Sequence, residues 1–292
     1  MRIDLHTHSD RSDGTMPPRE VVRAAATAGL DVLALTDHDT AVGWAEAAAT
    51  AEEAGVGFVP GMEISCVHAG RGLHLLAYLL DPTHPPLVEQ LGHVLRGRDE
   101  RLPRVCAALR AFGIPIQDED VRAVAGEATA IGRPHVADQL VRMGVVADRD
   151  EAFDRLLSPG RPGYVPRYAA PVEEMLALVT DAGGVSVVAH PWGRHGNPAL
   201  QHDGLAALRD QGLAGIEVDH QDHSPEQREQ LRALAAELDL VATGSSDFHG
   251  AGKAGHPLGC NLTEPEQLER LLERADAAAR AVGRRTPVVV LR

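Results

Sequence analysis

The stretch Ile3-Asp4-Leu5-His6-Thr7-His8-Ser9-Asp10-Arg11-Ser12-Asp13-Gly14 begins near the start of the chain and decides how the rest is interpreted. If its first residues form a strand, the alternation of side chains places His6 and His8 on one side, where two imidazoles can converge. Asp13 lies in a polar turn, from which a carboxylate can fold back towards the strand end. A polar strand end with solvated histidines explains these residues equally well, so the later segments decide between the two.

The composition is that of a globular protein with an acidic balance. The chain has 292 residues, 44% of them hydrophobic, and a formal net charge of −14. This length fits one barrel-sized domain or a main domain with an insert. The net charge disfavours duplex nucleic acid and anionic membranes, and a polyanionic substrate needs a local positive centre, which divalent ions would supply. No apolar run approaches the ~20 residues of a membrane-spanning helix.

The cysteines and the first residues indicate a cytoplasmic protein. Cys66, Cys106 and Cys260 are odd in number and widely spaced, so neither a disulfide framework nor a thiolate zinc site is expected. Candidate ligands begin at His6, which leaves no room for a signal peptide before them.

Predicted strands and helices alternate over much of the chain, and the strands end in side chains that can bind metal. This pattern predicts a largely parallel sheet covered by helices, with the reactive groups at the carboxyl ends of the strands. The metal-capable residues in these positions are His6, His8, Asp13, His38, Glu63, His74, His190, Asp247 and His249.

The alternation breaks between about residues 85 and 168. A long helix is expected at 87–112, followed by short helices between Gly/Pro-rich loops and no convincing strand. We interpret 85–168 as a helical insert over the strand ends, with 1–84 and 169–292 forming the main domain. Ordinary outer-layer helices are the alternative. A last strand is expected at 287–291.

Nine imidazole and carboxylate groups exceed what one ion can use, because zinc usually takes four ligands and a catalytic site leaves one position open. Two or three ions fit better. A nitrogen and oxygen set without thiolate suits manganese, zinc or iron(II). Glu63 has two oxygens and could bridge a pair of ions about 3.5–4 Å apart.

Five short motifs in a fixed order point to a known family. They are His-Thr-His at 6–8, Thr-Asp-His-Asp at 36–39, Gly-Met-Glu at 61–63, Ala-His-Pro at 189–191 and Ser-Asp-Phe-His at 246–249. Each motif alone is weak, but together they span nearly the whole chain and resemble the PHP family, the polymerase and histidinol phosphatase superfamily. The resemblance implies a distorted (β/α)7 barrel with a trinuclear metal site.

The resemblance also implies a ligand set and a branch of the family. It implies a first ion held by His6, His8, Glu63 and Asp247, a second held by Glu63, His74 and His190, and a third held by Asp13, His38 and His249. The expected cofactors are two or three divalent ions, with manganese favoured over zinc or iron. Aspartate at position 13, where other branches can place histidine, resembles the branch that hydrolyses phosphate esters of nucleotides.

That branch also carries a helical insert. It implies removal of the 3′-phosphate from 3′,5′-bisphosphate nucleotides by a metal-activated hydroxide, or 5′-to-3′ removal of nucleotides from short RNA. Arg98 and Arg101, one helical turn apart, and Arg133 and His135, at a helix start, resemble its substrate-phosphate contacts. Guanidinium groups suit this role because they can grip a phosphate with two hydrogen bonds. A solvated helix face is the alternative for Arg98 and Arg101.

Other polar residues are weaker candidates. His220 or His223 could protonate a leaving oxygen, although a plain polar loop explains them equally well. Arg161, Arg167 and Tyr168 lie where the insert rejoins the main domain and could contact substrate. The histidines expected at the surface are His68, His84, His93, His195, His202 and His256.

Two further readings remain open at this point. One is the histidinol-phosphate phosphatase activity found elsewhere in the family, and the other is a non-catalytic binding module stabilised by metal. The expected partner is a small phosphorylated substrate, a nucleotide or short RNA, with no membrane and no stable duplex nucleic acid. Monomer and homodimer are both compatible with the sequence.

Overall fold

The computed structural model describes residues 1–193 and 196–290. Over these residues the strands form one sheet that winds into a nearly closed barrel, in the order β1-β2-β3-β4-β6-β7-β8, with β5 paired to β3. The strands are β1 (Ile3–Asp4), β2 (Val32–Leu35), β3 (Gly57–His68), β4 (Arg71–Tyr78), β5 (Ala170–Pro171), β6 (Val185–Val188), β7 (Gly215–Asp219) and β8 (Val241–Gly244).

One strand of the barrel runs against the others. Strands β1, β2 and β3 are parallel, as are β6, β7 and β8, whereas β4 is antiparallel to both β3 and β6. The reversal is a hairpin, because β3 and β4 are joined directly through Ala69 and Gly70, both with positive φ. The barrel nearly closes where the N–H of His8 donates to the carbonyl of Phe248 at 2.8 Å. The first and last motifs of the chain therefore meet.

Ten α-helices are found among the described residues. They are α1 (Pro18–Thr27), α2 (Trp44–Ala54), α3 (Pro85–Ala111), α4 (Asp118–Ala125), α5 (Arg133–Arg142), α6 (Arg149–Ala152), α7 (Val172–Asp181), α8 (His202–Arg209), α9 (Pro225–Glu237) and α10 (Pro265–Ala281). A π-helical turn, Phe153–Leu157, follows α6. Several of these helices begin with proline, whose missing N–H costs nothing in the first turn. No helix in 1–193 or 196–290 is long and apolar enough to cross a membrane.

The apolar core is divided between the barrel and the segment 85–168. The N-terminal half of α3 packs on the barrel through Leu87, Leu91 and Val94. Its C-terminal half joins a separate cluster with α4, α5, α6 and the π-helical turn. The boundaries of the insert remain a prediction. The strand expected at 287–291 is absent from the described part, 287–290, which is mostly exposed and makes no backbone hydrogen bond to the other described residues.

Candidate metal centre

The barrel brings together all nine side chains predicted to bind metal. Each offers a nitrogen or oxygen atom within 3.5 Å of a ligand atom from another of the nine. Most follow directly from strand ends, while Glu63 lies within β3 and His74 within β4. They fall into three overlapping groups.

The first, which we term the Glu63 group, consists of His6, His8, Glu63 and Asp247. The Nε2 atoms of His6 and His8 are 3.0 Å apart. They lie 3.3 and 3.2 Å from Oε2 of Glu63, and each lies 3.4 Å from Oδ1 of Asp247. Ligands about 2.0–2.1 Å from a tetrahedral ion are about 3.3 Å apart, so these atoms fit the corners around a single ion.

The second, the His74 group, uses the other oxygen of Glu63. Oε1 lies 2.8 Å from Nδ1 of His74 and 3.2 Å from Nε2 of His190. Burial opposes ionisation of Glu63, but nearby histidines, His74 foremost, hold its pKa well below the usual range. A charged carboxylate whose two oxygens face different histidines has the arrangement of a bridging ligand.

The third, the Asp13 group, consists of Asp13, His38 and His249. The Asp13 carboxylate lies 3.5 Å from Nε2 of His38 and 3.3 Å from Nε2 of His249. Burial again opposes ionisation, yet the two histidines keep the pKa of Asp13 well below its usual range. The other ring nitrogen of His38 lies 3.1 Å from Oε2 of Glu63, so His38 connects this group to the Glu63 group.

Two of the predicted substrate contacts, Arg98 and Arg101 on α3, are buried beside this centre. Arg98 donates from Nε to Asp39 at 2.8 Å and from NH2 to the hydroxyl of Ser65 at 2.9 Å. Asp39 follows His38 in sequence, and Ser65 lies two residues after Glu63. Arg101 is 9% exposed, and its Nε has no hydrogen-bond partner among the described residues. The solvated-face alternative is wrong for both arginines.

Arg133, at the start of α5, lies in the same neighbourhood. It donates from NH1 to the carbonyl of Leu157 at 3.0 Å, and its guanidinium lies 5.3 Å from the ring centroid of Phe153 and 5.6 Å from that of Tyr164. The carbonyl belongs to the π-helical turn, and such turns are common at functional sites.

Arg167 completes what we term the arginine cluster, Arg98, Arg101, Arg133 and Arg167. Burial, followed by repulsion from the other three guanidinium groups, lowers the pKa of Arg101, and burial together with Arg98 lowers that of Arg167. Crowded cations of this kind, two of them buried and two partly buried, favour an anion among them. Of the other candidates at this junction, Arg161 and Tyr168 are exposed.

His135, also predicted to contact substrate, is occupied within the protein. Its Nδ1 accepts from the N–H of Gly132 at 3.0 Å, and the ring hydrogen-bonds to the backbone of Ser12. His135 thus joins α5 to the loop that carries Asp13. Its role as a substrate contact remains a prediction.

Comparison with known proteins identifies the family. A model described as the PHP domain matches residues 4–108. The 3′,5′-nucleoside bisphosphate phosphatase of Chromobacterium violaceum is 36% identical over 282 residues, covering 94% of this chain and 99% of the relative. This chain belongs to the PHP family.

Two further comparisons support the assignment. The 5′-3′ exoribonuclease of Haemophilus influenzae is 34% identical over 249 residues, covering 85% of this chain and 90% of the relative. A solved structure from Bifidobacterium adolescentis, provisionally assigned as a metal-dependent phosphoesterase, superimposes with a TM-score of 0.88 at 38% identity. It covers 93% of this chain and 96% of that one.

The PHP site also contains Glu217, which our sequence interpretation missed. This carboxylate on β7 is fully buried and accepts hydrogen bonds from Nδ1 of His6 at 3.2 Å, the N–H of His190 at 2.8 Å and the hydroxyl of Ser245. A histidine that binds metal usually donates its other ring N–H to such a group, which fixes its orientation. An acidic residue within the apolar strand Gly215–Asp219 was the available signal.

His220, one of the two general-acid candidates, hydrogen-bonds to a predicted metal ligand. Its Nδ1 accepts from the N–H of Asp222 at 3.1 Å, so the ring proton resides on Nε2. That nitrogen lies 3.3 Å from Oδ2 of Asp247. His220 is therefore placed to orient Asp247, and its role as an acid remains a prediction.

His223, the other candidate, has both ring nitrogens bound to backbone. It donates to the carbonyl of Val218 at 2.9 Å and accepts from the N–H of Trp192 at 3.3 Å. This arrangement leaves no ring nitrogen for a substrate and favours a structural role.

The expectation of a surface position is wrong for His256, which is 8% exposed and lies 2.8 Å from the carbonyl of Ser246. The loop after His249 folds back so that the ring of His256 lies against Ser246 and 5.5 Å from the ring of His220, measured between centroids. Of the other histidines expected at the surface, His93 and His202 are exposed, His68 and His84 are partly buried, and His195 lies outside the described residues.

Proposed function

We propose that this PHP chain is a metal-dependent phosphoesterase that removes the 3′-phosphate from 3′,5′-bisphosphate nucleotides. The observation that carries the proposal is the position of Arg98. It belongs to the arginine cluster, yet it also contacts Asp39 and Ser65, which lie beside two predicted metal ligands. A phosphate bound in the cluster would therefore lie next to the metal centre, as a substrate with two phosphates requires.

The three groups of ligands fit divalent ions by their chemistry as well as their spacing. Imidazole and carboxylate without thiolate suit manganese, with zinc or iron as alternatives, and we propose two or three ions per chain. When bound, such ions lower the pKa of a coordinated water and offset charge on the phosphoryl oxygens.

The side chains of the protein bind and orient the substrate. The arginine cluster binds the phosphate that is not cleaved, and the contacts of Arg98 to Asp39 and Ser65 fix the distance between this phosphate and the metal centre. Binding at the cluster orients the reacting phosphate, because a group that is already held in place loses less entropy on reaching the transition state. The Nε of Arg101, which has no hydrogen-bond partner within 1–193 and 196–290, is a donor that a phosphate oxygen would satisfy.

Short RNA with a 5′-phosphate is a second candidate substrate. Its 5′-phosphate would occupy the same arginine cluster, and its first phosphodiester would take the place of the 3′-phosphate. The similarity to the Haemophilus influenzae exoribonuclease favours this extension. The comparisons give no support to the histidinol-phosphate alternative, and the complete ligand set argues against a purely binding module.

The setting that we propose is a reducing cytoplasm. Cys66, Cys106 and Cys260 are free thiols, as expected where disulfides do not form. For the oligomeric state, monomer and homodimer both remain compatible with the sequence.

Phosphate release from three compounds tests the proposal. Manganese-loaded protein is assayed with adenosine 3′,5′-bisphosphate, adenosine 5′-monophosphate and histidinol phosphate, and bound metal is counted on the same sample. A strong preference for the bisphosphate supports the proposal. Preference for histidinol phosphate, or silence on all three with metal fully bound, contradicts it.

A further inference from the structure

Arg149, at the start of α6, reaches from the segment 85–168 to the loop that carries Asp13. Its NH1 donates to the backbone carbonyl of Asp13 at 2.9 Å. Its Nε and NH2 donate to the two carboxylate oxygens of Asp138 at 2.6 and 2.7 Å. The side chain is 12% exposed. Because the bidentate pair with Asp138 fixes the plane of the guanidinium, the remaining nitrogen has a defined direction towards Asp13.

The same guanidinium packs against the loop that follows His249. A side chain on Gly252 would overlap Arg149, so glycine is needed there for the close approach. The N–H of Gly252 donates to the carbonyl of His249 at 3.2 Å, which links this turn to the ligand. Arg149 therefore holds the loops of two members of the Asp13 group at once.

Further contacts from 85–168 reach the same group. His38, its third member, precedes Asp39, which binds Arg98. The N–H of Thr129 donates to the carbonyl of Arg11 at 3.0 Å, next to the contact between His135 and Ser12. By contrast, Glu217 of the barrel itself holds His6 and His190, which belong to the other two groups.

We propose that Arg149 is a positioning residue for the third metal position, so that the helical segment, and not the barrel alone, assembles the Asp13 group. The inference rests on the metal assignment of the proposed function. It follows that the third ion depends on the docking of α5 and α6, while the ions of the Glu63 and His74 groups depend on the barrel. Loss of a residue that orients a ligand typically weakens metal binding about 10–100-fold.

Metal counting on Arg149→Met tests the inference. The matched control is Arg155→Met, a few residues further on, where Arg155 is 55% exposed and pairs only with Glu151 among the contacts that the described residues give it. Both proteins and the unmodified chain are equilibrated with defined free manganese, and bound metal is measured by elemental analysis. Thermal unfolding of the metal-free proteins shows whether each variant is folded. A second variant, Asp138→Asn, keeps Arg149 but loosens its orientation.

We expect Arg149→Met to bind the third ion at least about tenfold more weakly, with the other ions unchanged. Asp138→Asn should show a smaller effect in the same direction, and Arg155→Met should match the unmodified chain. Unchanged affinity for three ions in Arg149→Met, or equal weakening of all ions in a folded variant, would overturn the inference. An unmodified chain that binds only two ions at saturating manganese overturns the inference and leaves standing the proposed function, which allows two or three ions. Three ions without nucleotide hydrolysis would contradict the proposed function alone.

Discussion

Nδ1 of His6 lies 3.2 Å from Oε1 of Glu217, on the opposite side of the ring from the nitrogen that faces Glu63 and Asp247. Because an ionised carboxylate can accept a hydrogen bond but cannot donate one, Nδ1 carries the hydrogen and Nε2 presents its lone pair to the metal position. Glu217 also accepts from the N–H of His190. One buried carboxylate thus orients two predicted ligands that belong to different groups.

Glu217→Gln should weaken binding of the ions held by His6 and His190. The amide is a poorer acceptor and must direct its NH₂ towards another donor, so we expect about tenfold or greater loss of affinity. Manganese titration measures it. Glu229→Gln, at an exposed position on α9, is the control. Unchanged affinity in Glu217→Gln would mean that the carboxylate does not orient these rings.

Arg101→Met should discriminate between substrates. A guanidinium contact to phosphate is worth about 1.5–3 kcal/mol, so kcat/KM for adenosine 3′,5′-bisphosphate should fall about 10–100-fold. A generic aryl phosphate, which has no second phosphate, should be hydrolysed nearly as before. Arg104→Met, on the exposed face of the same helix, should leave both rates unchanged. An equal loss on both substrates would argue against a remote phosphate site.

Metal binding should release protons and strengthen as the pH rises. Burial alone would lower the pKa of His8, but hydrogen bonds to Asp247 and Glu63 outweigh burial and raise this pKa to about 10. In the metal-free protein the ring is therefore charged at neutral pH. An ion must displace that proton. We expect manganese affinity to increase at least about tenfold between pH 7 and pH 8. Affinity that does not change over this interval would show that the ion displaces no proton from His8.

Removal of metal should destabilise the fold. An ion present at about 100 times its dissociation constant adds about 2.7 kcal/mol to the free energy of unfolding, which corresponds to about 4 °C in Tm for a chain of this length. Thermal unfolding with manganese or with a chelator measures this difference. An equal Tm under both conditions would exclude tight binding to the folded chain.

The metal-free protein should also lose stability as the pH rises from 7 towards 10. The pKa of His8 is raised above its unfolded value of about 6.5, so its stabilising contribution is complete below pH 6.5 and disappears as the pH passes about 10. In the metal-loaded protein the ion replaces this proton, so its stability should not show this part of the decline with rising pH. Parallel Tm profiles for the two forms would contradict the assignment.

The nine side chains that the barrel brings together could be selected from the sequence because imidazoles and carboxylates recur at one predicted strand end after another. His6 and His8 follow a strand, and the geometry of a barrel brings all such ends to one place. A largely parallel sheet covered by helices followed from the same alternation of strands and helices, whereas the barrel was implied by the family resemblance.

The residues that the sequence did not reveal act through contacts between distant segments. Glu217 and His6 are 211 residues apart, and Arg149 and Asp13 are 136 apart. In a sequence, an acidic residue in a strand or an arginine in a helical segment is compatible with many roles. Only the contacts in the folded chain identify which role it has. For the same reason His256 was expected at the surface, although its loop folds back and places the ring against Ser246.

The most direct test of the account compares kcat/KM for adenosine 3′,5′-bisphosphate and adenosine 3′-monophosphate on the manganese-loaded protein. The two differ only in the phosphate that the arginine cluster is proposed to bind, while the scissile bond is the same. We predict a preference of at least about 100-fold for the bisphosphate, since more than one guanidinium contact is gained. Equal values would show that the arginine cluster does not recognise a second phosphate and would contradict the proposed function.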